Sequence, residues 1–124
     1  MSRIGIVIVS HSKHIAQGVV DLIAEVAFEI SITYVGGTET GEIGTSFECV
    51  QEAVETNQAD VLLAFYDLGS AKMNLEIARD FSEKEIVINH VPIVEGAYTA
   101  AALLQAGVGL AEISKQLQGL EIGK

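Results

Sequence analysis

A run of apolar residues from Ile4 to Val9 stops at Ser10-His11-Ser12, and a helical pattern carrying Ile15, Val19, Leu22, Ile23 and Val26 follows at once. The same alternation repeats along the chain. Ile30 to Val35 predicts a second strand, and a loop from Gly36 to Ser46 with four glycines leads into a helix whose apolar positions Phe47, Val50 and Val54 fall at i, i+3 and i+7. Ser46 is a candidate N-cap, with no capping box because Cys49 stands at N3. Val61 to Tyr66 predicts a third strand, apolar enough to be buried on both faces, which ends in Asp67 before helix character returns at Met73, Ile77 and Ala78. Glu85 to Asn89 predicts a fourth strand. Pro92 separates it from a small-residue helix running from about Val94 to Gln105, and Gly107 and Gly109 precede a last helix with Leu110, Ile113 and Leu117. Strands alternating with helices at this spacing predict an α/β fold, a doubly wound and mainly parallel sheet of four to five strands with helices on both faces.

Composition narrows this picture. With 124 residues and 49% hydrophobic content, the chain predicts a single domain over residues 1–124 with a real core. It has no run of about 18 apolar residues to cross a bilayer and no signal-peptide pattern, so a cytoplasmic protein without membrane insertion is expected. Cys49 stands alone, cannot form an internal disulfide, and reads as a small buried hydrophobe. Seven Lys and Arg against 17 Asp and Glu give a formal charge of −10, which argues against nucleic acid and fits a basic protein partner better. Dispersed carboxylates also serve simply to keep a small apolar domain soluble.

His11 falls at the carboxyl edge of the first strand, where an open α/β sheet binds ligands and where helix N-termini favour anions. It reads either as a residue of phosphate chemistry or as a polar residue closing a strand. Asp67 closes the third strand, and the ends of the first and third strands are often neighbours at this edge. A carboxylate on one imidazole N–H fixes the tautomer and frees the other nitrogen for attack, so His11 is the candidate nucleophile and Asp67 its orienting partner. Gly36, Gly37, Thr38, Gly44, Thr45 and Ser46, together with Ser10, Ser12, Gly69 and Ser70, are candidates to bring N–H groups and hydroxyls to phosphoryl oxygens. Glu42 occupies the place of a Walker lysine, which disfavours direct ATP binding. His11 and His14 have HxxH spacing with no supporting cluster, so no metal site is expected; His14 reads as a surface residue and His90 as a satisfied strand-end histidine. No GxSxG elbow is present.

Four blocks carry a family resemblance. Ile6-Val7-Ile8-Val9-Ser10-His11-Ser12, the loop from Gly36-Gly37-Thr38 to Gly44-Thr45-Ser46, the run from Tyr66-Asp67-Leu68-Gly69-Ser70 to Met73-Asn74, and Val91-Pro92-Ile93-Val94-Glu95-Gly96-Ala97-Tyr98 occur in order over nearly the whole chain. Together they resemble the phosphotransferase subunits of bacterial PTS-dependent dihydroxyacetone kinases, members of the mannose-type IIA group. The resemblance implies that His11 is phosphorylated by phospho-HPr, that Asp67 is its carboxylate partner, and that the protein is a homodimer. It further implies that the phosphoryl group passes to ADP on the kinase's nucleotide-binding subunit. No cofactor beyond the covalent phosphohistidine is then expected, Mg-ADP residing on the partner. The loop from Gly36 to Ser46 and the segment around Met73 and Asn74 are the expected docking rim. Some relatives fuse this domain to further carrier domains; none is expected here, so the donor is expected to be a separate protein, and whether a C-terminal edge strand is exchanged is left open.

Other readings compete with this one. A mannose-type IIA component serving a sugar transporter through a IIB protein would carry an Asp-Thr-Trp-Gly-Gly-Ser-Pro-like turn where this chain has Asp67-Leu68-Gly69-Ser70-Ala71-Lys72. A receiver-like signalling module would use Asp67 as phospho-acceptor, but needs an acidic pair after the first strand where Ser10-His11 stands. A plain flavodoxin-like binding module is the remaining alternative.

Overall fold

The computed structural model describes residues 3–124. Its elements are β1 (Ile4–Ser10), α1 (Lys13–Ala24), β2 (Ile32–Gly36), α2 (Phe47–Thr56), β3 (Val61–Tyr66), α3 (Gly69–Phe81), β4 (Glu85–Asn89), α4 (Ile93–Gln105) and α5 (Leu110–Gln118). The strands form one sheet of order β2-β1-β3-β4, every neighbouring pair parallel. The sheet therefore has four strands among the described residues, and none of these residues belongs to a helix long and apolar enough to cross a membrane.

Alternation along β1 and β3 divides the interior in two. Ile6, Ile8, Leu63 and Phe65 face one way and meet α1, α4 and α5 through Val19, Ile23, Ala97, Ala100, Ile113 and Leu117. Val7, Val9, Leu62, Ala64 and Tyr66 face the other way and meet α2 and α3 through Val50, Val54, Ala71, Leu75 and Ala78. Both central strands are buried on both faces, which is why each reads as a continuous apolar run rather than an alternating one.

Five expected burials need correction. Ile15 and Leu22 of α1 are exposed, because the inward face is Ala16, Val19 and Ile23. A glycine is required at position 36: a Cβ built on Gly36 would lie 2.9 Å from the Ala16 Cβ, 2.6 Å from the Ser12 carbonyl and against Lys13 Cα, so α1 sits directly on the β2 backbone. Likewise Met73 and Ile77 point outward and α3 packs through Ala71, Leu75 and Ala78. Cys49 is only partly buried, near the exposed edge of β2. Ser46 is the N-cap of α2 as expected, its hydroxyl accepting the Cys49 N–H.

Candidate functional site

Parallel pairing of β1 with β3 sets Val9 opposite Tyr66, so the residues that follow each strand emerge side by side at the carboxyl edge of the sheet. Asp67 there receives four hydrogen bonds. Its Oδ2 accepts from the Ser10 hydroxyl at 2.8 Å and from the His11 backbone N–H at 2.9 Å, while Oδ1 accepts from the Leu68 N–H at 2.7 Å and lies 2.9 Å from His11 Nδ1. Partial burial works to raise the Asp67 pKa. The bonds from the His11 backbone and ring, Ser10 and Leu68 outweigh it and hold the carboxyl below its ordinary value.

An ionised carboxylate only accepts, so the proton between the two side chains sits on Nδ1 and the lone pair on Nε2 is left for attack. The imidazole is 18% exposed and the carboxylate 13%, open enough to be reached and shielded enough for their bond to count. α3 begins beside Asp67 with no side chain capping its first N–H groups, so its positive end adds to the anion-favouring character of this edge. Gly69 and Ser70, at that helix start, are exposed.

The other expected phosphate-binding groups divide into those that fit and those that do not. The N–H groups of Gly37, Thr38 and Gly44 are already taken, by Ser10 O, Glu42 O and His11 O respectively, because the loop folds back on itself and on β1. Gly37 and Gly44 supply the positive φ values, 82° and 144°, that this folding requires. Gly36 is a place of close approach to α1. Ser10 is buried, serving Asp67 and accepting the Ser12 N–H, while Ser12 caps α1 through the Ile15 N–H. Ser46 is buried between its capping bond and Glu39. Thr45 accepts from Asn74 Nδ2 at 3.1 Å, which ties the loop to α3 and joins the two halves of the expected docking rim. His14 is exposed on α1, and His90 Nδ1 is 2.7 Å from the Tyr66 hydroxyl, apart from the dyad.

Sequence reasoning missed Ser10 as a support of Asp67 and missed Lys124 altogether. A lysine after a short polar stretch carries no pattern. In the fold its Nζ donates to the Tyr66 carbonyl, one residue ahead of Asp67.

The chain matches the family model of PTS system fructose IIA components over residues 5–114. It is 56% identical to the phosphotransferase subunit DhaM of the PTS-dependent dihydroxyacetone kinase of Lactococcus lactis, over 97% of this chain and 98% of that one. It is 53% identical to the phosphoryl donor subunit DhaM of PEP-dependent dihydroxyacetone kinase 1 of Listeria innocua, over 95% of each. A crystal structure of a protein of unknown function superposes with a TM-score of 0.85 at 29% identity, covering 98% of this chain and 97% of that chain.

Proposed function

This chain belongs to the family of PTS system fructose IIA components, and from that premise we propose that it is the phosphotransferase subunit of a PTS-dependent dihydroxyacetone kinase. His11 takes a phosphoryl group from phospho-HPr and hands it to ADP on the kinase's nucleotide-binding subunit. The observation that carries this reading is the 2.9 Å contact between His11 Nδ1 and Asp67 Oδ1 at the carboxyl edge.

In the first step the Nε2 lone pair attacks phosphorus while the phosphorus–nitrogen bond on HPr breaks, its electron pair staying with the HPr imidazole. His11 gains a positive ring charge, which Asp67 neutralises through Nδ1–H. In the second step a terminal oxygen of ADP attacks the same phosphorus and the bond to Nε2 breaks, returning neutral His11 and ATP. The chain offers no Walker lysine, so Mg-ADP comes on the partner and the subunit needs no cofactor of its own. In-line positioning and charge neutralisation are then the docked partner's work. Ile43, Leu68 and Met73, all exposed, belong to the loop and the α3 segment joined by the Thr45–Asn74 bond, and they give both partners an apolar rim. Exchange with HPr also goes with a cytoplasmic location.

Phosphorylated protein mixed with Mg-ADP and the nucleotide-binding subunit should form ATP rapidly, and with Mg-ADP alone should form almost none. Equal rates in both mixtures would refute the mechanism. Transfer only to a IIB protein would support the transporter reading.

A homodimer belongs to the same proposal. Val94 and Tyr98 remain exposed on α4, in a helix whose other residues are mostly apolar, and a second copy would cover them. Sedimentation at micromolar concentration should show a species of about twice the 13.2 kDa chain mass, and a 13.2 kDa species alone would overturn the dimer.

A further inference from the structure

The segment after α5 crosses the carboxyl edge of the sheet as a strap held at two points. The Ile122 N–H donates to His90 O at 3.0 Å, and Lys124 Nζ donates to Tyr66 O at 2.7 Å. The ammonium also lies 4.3 Å from the centre of the Tyr66 ring, a cation–π distance. The Tyr66 hydroxyl in turn is bonded to His90, so the two anchor residues brace each other. Burial raises the Tyr66 pKa, with the charge of Glu76 adding to it, so the phenol keeps its proton in this contact.

The strap thus holds a positive charge at the carbonyl that precedes Asp67. Partial burial lowers the Lys124 pKa, and the Asp67 charge pulls it back up. Such a cation suits the site. A phosphoryl group brings roughly 1.5 to 2 negative charges to an edge that already holds a carboxylate, in a chain of formal charge −10. Lys13 lies along the loop at Gly41, and Lys72 stands in the first turn of α3.

We propose that Lys124 is a positioning residue of the phosphoryl site, a cation held beside Asp67 by the C-terminal strap that offsets the charge of the phosphorylated state and slows loss of phosphate from His11. The proposal rests on His11 as the phosphorylated residue. Two effects act in the same direction. The ammonium attracts the phosphoryl oxygens, and by partly neutralising Asp67 it disfavours the protonated ring that leaves most easily.

The test uses potassium phosphoramidate, a small donor that phosphorylates histidine with release of ammonia and needs no partner protein. Loss of the label is followed by phosphorus NMR in wild type, Lys124→Met and Lys124→Arg. The methionine keeps a stem over the Tyr66 ring without charge, and the arginine keeps the charge. Lys124→Met should lose phosphate about three- to tenfold faster than wild type. Lys124→Arg should stay within about twofold of wild type, and added salt should speed wild type more than Lys124→Met. Equal rates in wild type and Lys124→Met, or Lys124→Arg behaving like Lys124→Met, would overturn the proposal. A wild-type chain that takes no label on His11 would instead refute the reading of His11 on which it stands.

Discussion

Replacement of His11 by alanine should reduce phosphoryl acceptance to background while leaving the fold intact. The imidazole contributes one of the four hydrogen bonds to Asp67; the bonds from Ser10, the His11 backbone and Leu68 do not depend on its ring. Loss of one bond to a charged group costs about 1.5–3 kcal/mol of stability. The chemistry has no such reserve, because neither of the other two histidines takes the same position: His14 is on the outer face of α1 and His90 is bonded to Tyr66. Intact mass after incubation with HPr, its upstream kinase and phosphoenolpyruvate reads the result. Wild type should gain one phosphoryl group, stable in alkali and lost in acid, and His11→Ala should gain none. A label on the alanine variant, or a hydroxylamine-sensitive label on Asp67, would point to a phospho-aspartate instead.

Asp67→Asn should slow transfer by about 10²- to 10⁴-fold, by analogy with wrong-tautomer variants of hydrolase triads. An amide has one oxygen and one NH₂ where the carboxylate meets four donors. If the NH₂ faces Nδ1, the ring proton moves to Nε2 and the attacking lone pair is lost. If it faces the other way, the His11 backbone N–H meets a donor and goes unpaired, at a cost of about 1–3 kcal/mol. In neither orientation does the site keep a charge to stabilise imidazolium. Single-turnover transfer from phospho-HPr measures the rate, and a rate equal to wild type would remove Asp67 from the mechanism.

Stability adds a pH signature to the same variant. The Asp67 pKa is lowered in the folded protein, so its contribution is complete above the unfolded carboxylate value of about 3.9 and disappears as pH falls through the folded value. The stability gap between wild type and Asp67→Asn should therefore be constant near neutrality and narrow below about pH 4. Denaturant titrations at several pH values follow it.

The dyad was legible in the sequence because both members follow apolar runs, and a parallel sheet brings the ends of such runs to one edge. The loop was legible as flexible backbone but not as occupied backbone. Composition cannot tell that the Gly44 N–H is bound to the His11 carbonyl rather than free for phosphate. Helix faces failed by one or two positions where small residues carry the contact. Ala16 and Ala71 face inward because the helices lie close to the sheet, while Ile15 and Met73, the larger hydrophobes that dominate a periodicity reading, face solvent. Lys124 was invisible for a different reason, since its place depends on where a non-helical tail crosses the sheet edge.

His11 and Asp67 are 56 positions apart and meet only through the pairing of β1 with β3. Before the third strand docks, the histidine lacks this carboxylate to set its tautomer, since β1 carries none and the one in α1, Asp21, is bonded to Gln17. If His11 is phosphorylated as proposed, competence to accept phosphate reports correct folding. On that proposal, nascent or misfolded copies would not drain the donor pool, and the fraction of a preparation that can be labelled would track its native molecules.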